Sequence, residues 1–216
     1  MLRYIFCCIL AAAAAPLLLR YCLRYSQRTL APKQKRLLFA FLLAACAALG
    51  CASLFVKNSL PGGMITALLC AAVVGIAVTD ALCMEIPPLL NIVVLVCSLA
   101  LLWLDRSRWQ SHLLAVAVGG GFVLLLFLCS KGKAFSFGDV KLVAAAAVGL
   151  TLPGALLALL VAFPLAAVVQ GMRILLLGKE HRFAFGPYLC AGIVFANLFG
   201  ERVLSWYASL FPALRW

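Results

Sequence analysis

Asp80 and Asp139 are two of only three aspartates in 216 residues, and each stands at the end of a long apolar run. A carboxylate in or beside a membrane span costs on the order of 2.5 to 17 kcal/mol and is usually retained for function. Two carboxylates brought together titrate as a coupled pair and share one proton near neutrality. The ionised member can take a proton from water, while the protonated one hydrogen-bonds a peptide carbonyl as it becomes tetrahedral. This is acid–base hydrolysis of a peptide bond, and it needs no metal. With six acidic residues in the whole chain, an all-oxygen cation cage is hard to assemble.

The surroundings of the two acids are specific. Asp80 ends an apolar run and is followed by Glu85, Ile86, Pro87 and Pro88 before the next run begins. Asp139 lies in Phe135-Ser136-Phe137-Gly138-Asp139-Val140-Lys141-Leu142, and a third string, Phe183-Ala184-Phe185-Gly186-Pro187-Tyr188-Leu189, opens the last apolar run. Gly138 removes a side chain where a substrate backbone can approach, or else it serves helix packing. Lys141 snorkels to lipid headgroups by default, with a role in holding negative charge near the acids as the sharper reading. Glu85 reads as a solvated interfacial acid. Asp105, beside Arg106 and Arg108, reads as a solvated loop charge, and His112 and His181 read as interfacial residues at loop edges.

The elements that must carry these residues are membrane helices. Mean hydropathy is +1.16, 67% of residues are apolar and 11% charged, and the apolar runs approach the length of about 20 residues that a helix needs to cross a bilayer. The segments fall at roughly 4 to 23, 37 to 56, 64 to 84, 88 to 104, 112 to 129, 139 to 152, 153 to 175 and 183 to 200. The expected fold is all-α: a polytopic transmembrane bundle of about eight spans. Residues 1 to 216 form a single membrane domain, and the tail from 201 to 216, with Trp206, Tyr207 and Trp216, forms an interfacial helix. Small residues in Gly119-Gly120-Gly121, Ala144 to Ala147 and Gly149 serve close helix approach. The first segment follows Arg3 like a signal peptide but is expected to be retained, because the stronger basic cluster lies after it.

A net charge of +12 would suggest nucleic acid in a soluble chain, but here the basic residues sit in short loops and no aromatic–basic interleaving accompanies them. They set topology instead. With the amino terminus outside, Arg20, Arg24, Arg28, Lys33, Lys35, Arg36, Lys131, Lys133, Lys141, Arg173, Lys179 and Arg182 face the cytoplasm, twelve in all. Arg3, Lys57, Arg106, Arg108, Arg202 and Arg215, six in all, face outward. Both Asp80 and Asp139 then lie near the cytoplasmic face of the inner membrane. The ten cysteines fall almost wholly inside apolar runs without a C-x-x-C pair and read as small apolar filler, not as metal ligands or disulfides.

Taken in order, the three strings resemble the prepilin peptidase family of membrane aspartic proteases. That pattern is an Asp with Ile-Pro beginning six residues on, then G-x-G-D-x-K-L, then F-x-P-Y/F-L, and the resemblance covers roughly residues 64 to 200. It implies that Asp80 and Asp139 are the catalytic dyad, and that Gly138, Lys141, Glu85 and Pro187 position or support the substrate. The substrate implied is a type IV prepilin or pseudopilin precursor, cut between a short basic leader and the hydrophobic stretch behind it. Glu85 could then meet the basic leader. Two positions depart from the pattern: Ser136 replaces the first glycine, and Pro88 stands where Asn or Asp is usual and a helix cap is lost. The paired C-x-x-C zinc ligands of the family's methylating members are missing, so neither N-methyltransferase activity nor a cofactor is expected. Pro212-Ala213-Leu214 spells a tripeptide that presenilin relatives place near their acids, but it falls on the outer side and reads as chance. The competing function is a proton-coupled transporter component using the two acids as a relay. That reading predicts a chain of polar residues through the bundle, whereas the span centres are almost wholly Ala, Leu, Val, Gly, Phe and Cys.

Overall fold

The computed structural model describes residues 2–26, 31–57, 59–132, 135–177 and 184–210. Phe183, His181 and Pro212-Ala213-Leu214 lie outside the described residues. The chain folds into α1 (Leu2–Ser26), α2 (Pro32–Val56), α3 (Leu60–Cys83), α4 (Pro88–Leu104), α5 (Trp109–Ala115), α6 (Gly121–Cys129), α7 (Phe137–Ala147), α8 (Leu152–Leu177) and α9 (Gly186–Leu210). A five-residue π-turn, Val116–Gly120, joins α5 to α6, so that Arg106–Cys129 forms one rod. Among the described residues there is no strand, and the architecture is the all-α polytopic bundle expected.

Five helical segments are long and apolar enough to cross a bilayer: Lys33–Val56, Leu60–Cys83, Arg106–Cys129, Leu152–Leu176 and Gly186–Leu210. The protein is a multi-pass membrane protein. The remaining expected segments are helical too, but α4 has 17 residues and α7 only 11. At 1.5 Å per residue α7 is about 16 Å long, against a hydrocarbon core of about 30 Å. Residues 201–210 continue α9 without a break. Large apolar side chains such as Phe55, Leu160, Leu175 and Leu176 point outward, as lipid-facing surfaces require.

α3 is the buried centre and packs against α1, α2, α4 and α9. Its small residues make this possible. A methyl placed on Gly75 would come within 2.9 Å of Leu18 and 3.1 Å of Leu90, so α1 and α4 both close onto that position. In lipid, where burial of apolar surface supplies little drive, such backbone approach is what holds helices together. The same device recurs where Gly120 of the π-turn meets Ala144 of α7, and where Gly149 meets Ser98 of α4.

Asp80 occupies the last turn of α3. The helix stops because Met84 adopts the left-handed conformation (φ 57°, ψ 34°) while its N–H closes onto the Asp80 carbonyl at 2.8 Å. Extended Pro87 then launches α4 with Pro88 at its first position. Antiparallel connections of this kind place the end of α3 and the starts of α4, α7 and α9 together at one end of the bundle. The end of α4 and the starts of the Arg106–Cys129 rod and α8 lie at the other.

α8 and α9 form the tightest pair, because Gly192 lies directly against the Ala158 carbonyl. Gly192→Ala should cost about 1–3 kcal/mol by overpacking, read as a lower unfolding midpoint in detergent. Gly200→Ala, whose added methyl would lie 3.9 Å from Leu157, should leave that midpoint unchanged.

Candidate active site

Both aspartates are buried, Asp80 at 4% and Asp139 at 3% exposure, and they are close enough for the charge of Asp139 to act on Asp80. No lysine or arginine pairs with either carboxylate among the described residues. Helix starts supply the compensation. The Gly186 N–H, at the first residue of α9, donates to Asp80 Oδ2 at 2.9 Å. Exposed N–H groups and the helix dipole make such a terminus a natural partner for a carboxylate.

Asp139 is held by its own helix start. Ser136 caps α7, accepting from the Asp139 N–H at 3.2 Å. In return the Ser136 N–H and hydroxyl both donate to Asp139 Oδ2, at 2.8 and 2.9 Å. This is a reciprocal capping box, the arrangement that satisfies two otherwise orphaned donors at a helix start. A serine cap contributes about 1 kcal/mol to its helix. The second oxygen, Asp139 Oδ1, is buried without a hydrogen-bond partner among the described residues.

Two glycines let these segments meet. A methyl on Gly186 would sit 2.5 Å from Asp80 Oδ2, so that position has room for the carboxylate only because it lacks a side chain. A methyl on Gly138 would lie 3.1 Å from the Ile86 Cβ, so the start of α7 rests directly on the loop that follows Asp80. Aromatic rings join the same segments from behind. Phe135 and Phe185, which precede Ser136 and Gly186, meet edge to face at 4.8 Å, and Phe163 of α8 packs 5.3 Å from Phe185. Cys190, one turn into α9, is buried within the fields of both acids.

The other residues singled out from sequence are distributed unevenly. Pro187 follows Gly186 in the first turn of α9, where its missing N–H costs nothing and its fixed φ suits the helix. Lys141 is exposed, its Nζ 4.8 Å over the Phe137 ring, and the carboxylates are not its partners. Glu85 is exposed at the same end as Asp80, accepting from the Tyr25 hydroxyl at 3.3 Å. It lines an open cavity of about 470 Å³ with Tyr21, Arg24 and Tyr25. Sequence reasoning took Ser136 only as a departure from a pattern, although Ser-x-x-Asp before an apolar run is itself a capping signature. It did not single out the Phe135–Phe185 contact, for which spacing along the chain carries no signal. No three His, Cys, Asp or Glu side chains converge among the described residues.

A different polar cluster lies at the opposite end of the bundle. Lys57, Asp105, Arg108, His112, Asn197 and Glu201 surround a cavity of about 250 Å³. His112 is not at an interface with solvent. It is buried, its Nδ1 3.0 Å from the Val148 carbonyl and its Nε2 3.5 Å from Asp105 Oδ2. Asp105 likewise is more than a solvated loop charge, because Arg108 Nη2 lies 2.8 Å from its Oδ2. Partial burial opposes charge on Asp105, but hydrogen bonds and charge from Arg108, with a hydrogen bond from Ser107, hold its carboxyl below the ordinary range. A carboxyl depressed in the fold stabilises above its unfolded pKa and loses that contribution as pH falls through the folded value. Asp105→Asn should therefore lower stability at neutral pH by no more than about 1 kcal/mol, given the exposure of the pair. The difference from wild type in unfolding midpoint should shrink as pH falls below about 4.

Residues 64–171, half of the chain, match the sequence profile of the type IV leader peptidase family. No curated protein and no solved structure matches. The matched region contains Asp80, the Ile86-Pro87 loop and the Ser136–Asp139 box, and ends before Gly186. With its extent and the acids it encloses, this match shows that the chain belongs to the type IV leader peptidase family.

Proposed function

We propose that the protein is an aspartic endopeptidase that removes the basic leader from type IV prepilin or pseudopilin precursors at the cytoplasmic face of the inner membrane. Family membership supports leader peptidase activity in general. The aspartic mechanism rests on one observation: two buried carboxylates share one end of an apolar bundle, close enough for one to act on the other and without a neutralising cation among the described residues. Like charges so placed favour a single shared proton. The ionised carboxylate takes a proton from water, whose oxygen attacks the scissile carbonyl, while the protonated carboxyl hydrogen-bonds the developing oxyanion. Collapse of the tetrahedral intermediate breaks the C–N bond, the proton passes to the leaving amine, and the carboxylates return to their starting state.

The charge distribution supports the cytoplasmic face. Among the described residues, Arg20, Arg24, Lys33, Lys35, Arg36, Lys131, Lys141 and Arg173 belong to the end that carries the two aspartates, against Arg3, Lys57, Arg106, Arg108 and Arg202 at the other. A single-pass precursor helix anchored in the same bilayer would present its leader junction at that level. Glu85, beside the open cavity, is the acid available to a basic leader. On the sequence, which lacks paired C-x-x-C ligands, the product is proposed to keep an unmethylated amino terminus.

Membranes carrying the protein, incubated with a prepilin-type precursor, test the mechanism. Asp80→Asn and Asp139→Asn should each slow trimming by at least about a hundredfold at unchanged protein level. Full trimming by either variant rejects the dyad. Gly186→Ala, which drives a methyl into the Asp80 carboxylate, should also slow trimming strongly while leaving the bundle assembled.

A further inference from the structure

We infer that Ser136 is a positioning residue that keeps Asp139 as the ionised, proton-accepting member of the pair and leaves the shared proton on Asp80. This deepens the peptidase reading and rests on it.

The two carboxylates have unequal surroundings. Asp139 Oδ2 accepts two hydrogen bonds, from the Ser136 N–H and hydroxyl, whereas Asp80 Oδ2 accepts one, from Gly186. Hydrogen bonds donated to a carboxylate favour its charged form. Helix position adds to the difference. Asp139 lies in the first turn of α7, where the dipole favours an anion, and Asp80 lies in the last turn of α3, where it disfavours one. With Oδ2 committed to Ser136, the unpartnered Oδ1 is the oxygen left to take a proton from water.

Other groups do not cancel this bias. Asp80 from α3 and the Cys190 thiol from α9 are the described titratable groups within electrostatic range of Asp139. The Tyr188 hydroxyl of α9 is engaged by Gln170, and Glu201, Arg202 and Tyr207 lie at the far end of that helix. α4 offers only Cys97, which is buried in the core. The Arg106–Cys129 rod carries Arg106, Arg108 and His112 at its far end and an exposed Cys129 near this one. Lys131 and Glu85 are exposed, and Lys141, on the same helix as Asp139, sits over the Phe137 ring.

The experiment is the pH dependence of kcat/KM for the full-length protein in membranes, with a peptide substrate of a basic leader followed by an apolar segment. Ser136→Ala and Ser136→Gly remove the hydroxyl donor, so the acid limb should move to higher pH by about one unit. Ser136→Thr, which keeps the hydroxyl, should restore the wild-type limb. Ser136→Asp still caps a helix but repels the neighbouring carboxylate, so it should shift the limb further in the same direction and serves if the alanine variant fails to accumulate. Acid limbs of these variants that superpose on wild type, with only a uniform fall in rate, overturn the inference and leave Ser136 as a cap. Those limbs are informative only while Asp139→Asn is inactive; full activity in that variant removes the peptidase dyad itself.

Discussion

Two carboxylates buried at one end of the bundle, with no cation paired to them among the described residues, impose the constraint from which the rest of this bundle follows. Each anion must be offered hydrogen bonds by groups that cost nothing to desolvate further, and the N–H groups at helix starts are such donors. The fold meets the requirement twice, with the first residue of α9 on Asp80 and the capping box of α7 on Asp139. Because those donors are backbone groups, they cannot swing away as a lysine could. The positions of the acids are therefore fixed by where helices begin and end.

That dependence explains the distribution of small and aromatic residues around the site. Gly186 and Gly138 are the points where a helix start must come closer to a neighbour than a methyl allows. Phe135, Phe163 and Phe185 fill the space behind them and bind three segments that are far apart in sequence. Among the described residues, the surplus of positive charge stays out of this arrangement. Lys141 lies over an aromatic ring, and Arg108 and Lys57 pair with acids at the other end. A cation beside these two carboxylates would favour the charged form of both.

Much of this was legible before any coordinates. The helical bundle follows from apolar run lengths, and the two acids follow from the expense of a carboxylate at the end of such a run. Gly138 and the Gly186-Pro187 pair stand in strings whose residue types are unusual for packing alone. Less legible were contacts between strings. Nothing in the spacing of Ile86 and Gly138 says that they touch, and nothing in Phe135 or Phe185 says that their rings meet. His112 and Asp105 were misjudged for a related reason. Residues at the edges of apolar runs look solvated when each run is read singly, yet the fold of the α7–α8 connection brings the Val148 carbonyl onto the histidine. The length of α7 also departs from expectation, because a segment read over roughly 139 to 152 stops at Ala147 and turns through Gly149, which packs on Ser98.

Ser136 shows how a departure from a family pattern can be absorbed by local physics. A glycine there would leave the start of α7 without a side-chain cap, and the Asp139 carboxylate would depend on backbone donors alone. The serine adds a hydroxyl that accepts from the helix and donates to the carboxylate at once, so one side chain serves both α7 and the acid it carries. The gain comes with a constraint: Oδ2 is committed to the cap, and Oδ1 is left without a partner among the described residues. The two acids, alike in type and burial, are thereby made unequal by the helix ends on which they stand, and inequality is what a shared proton needs if one carboxyl is to give it while the other accepts.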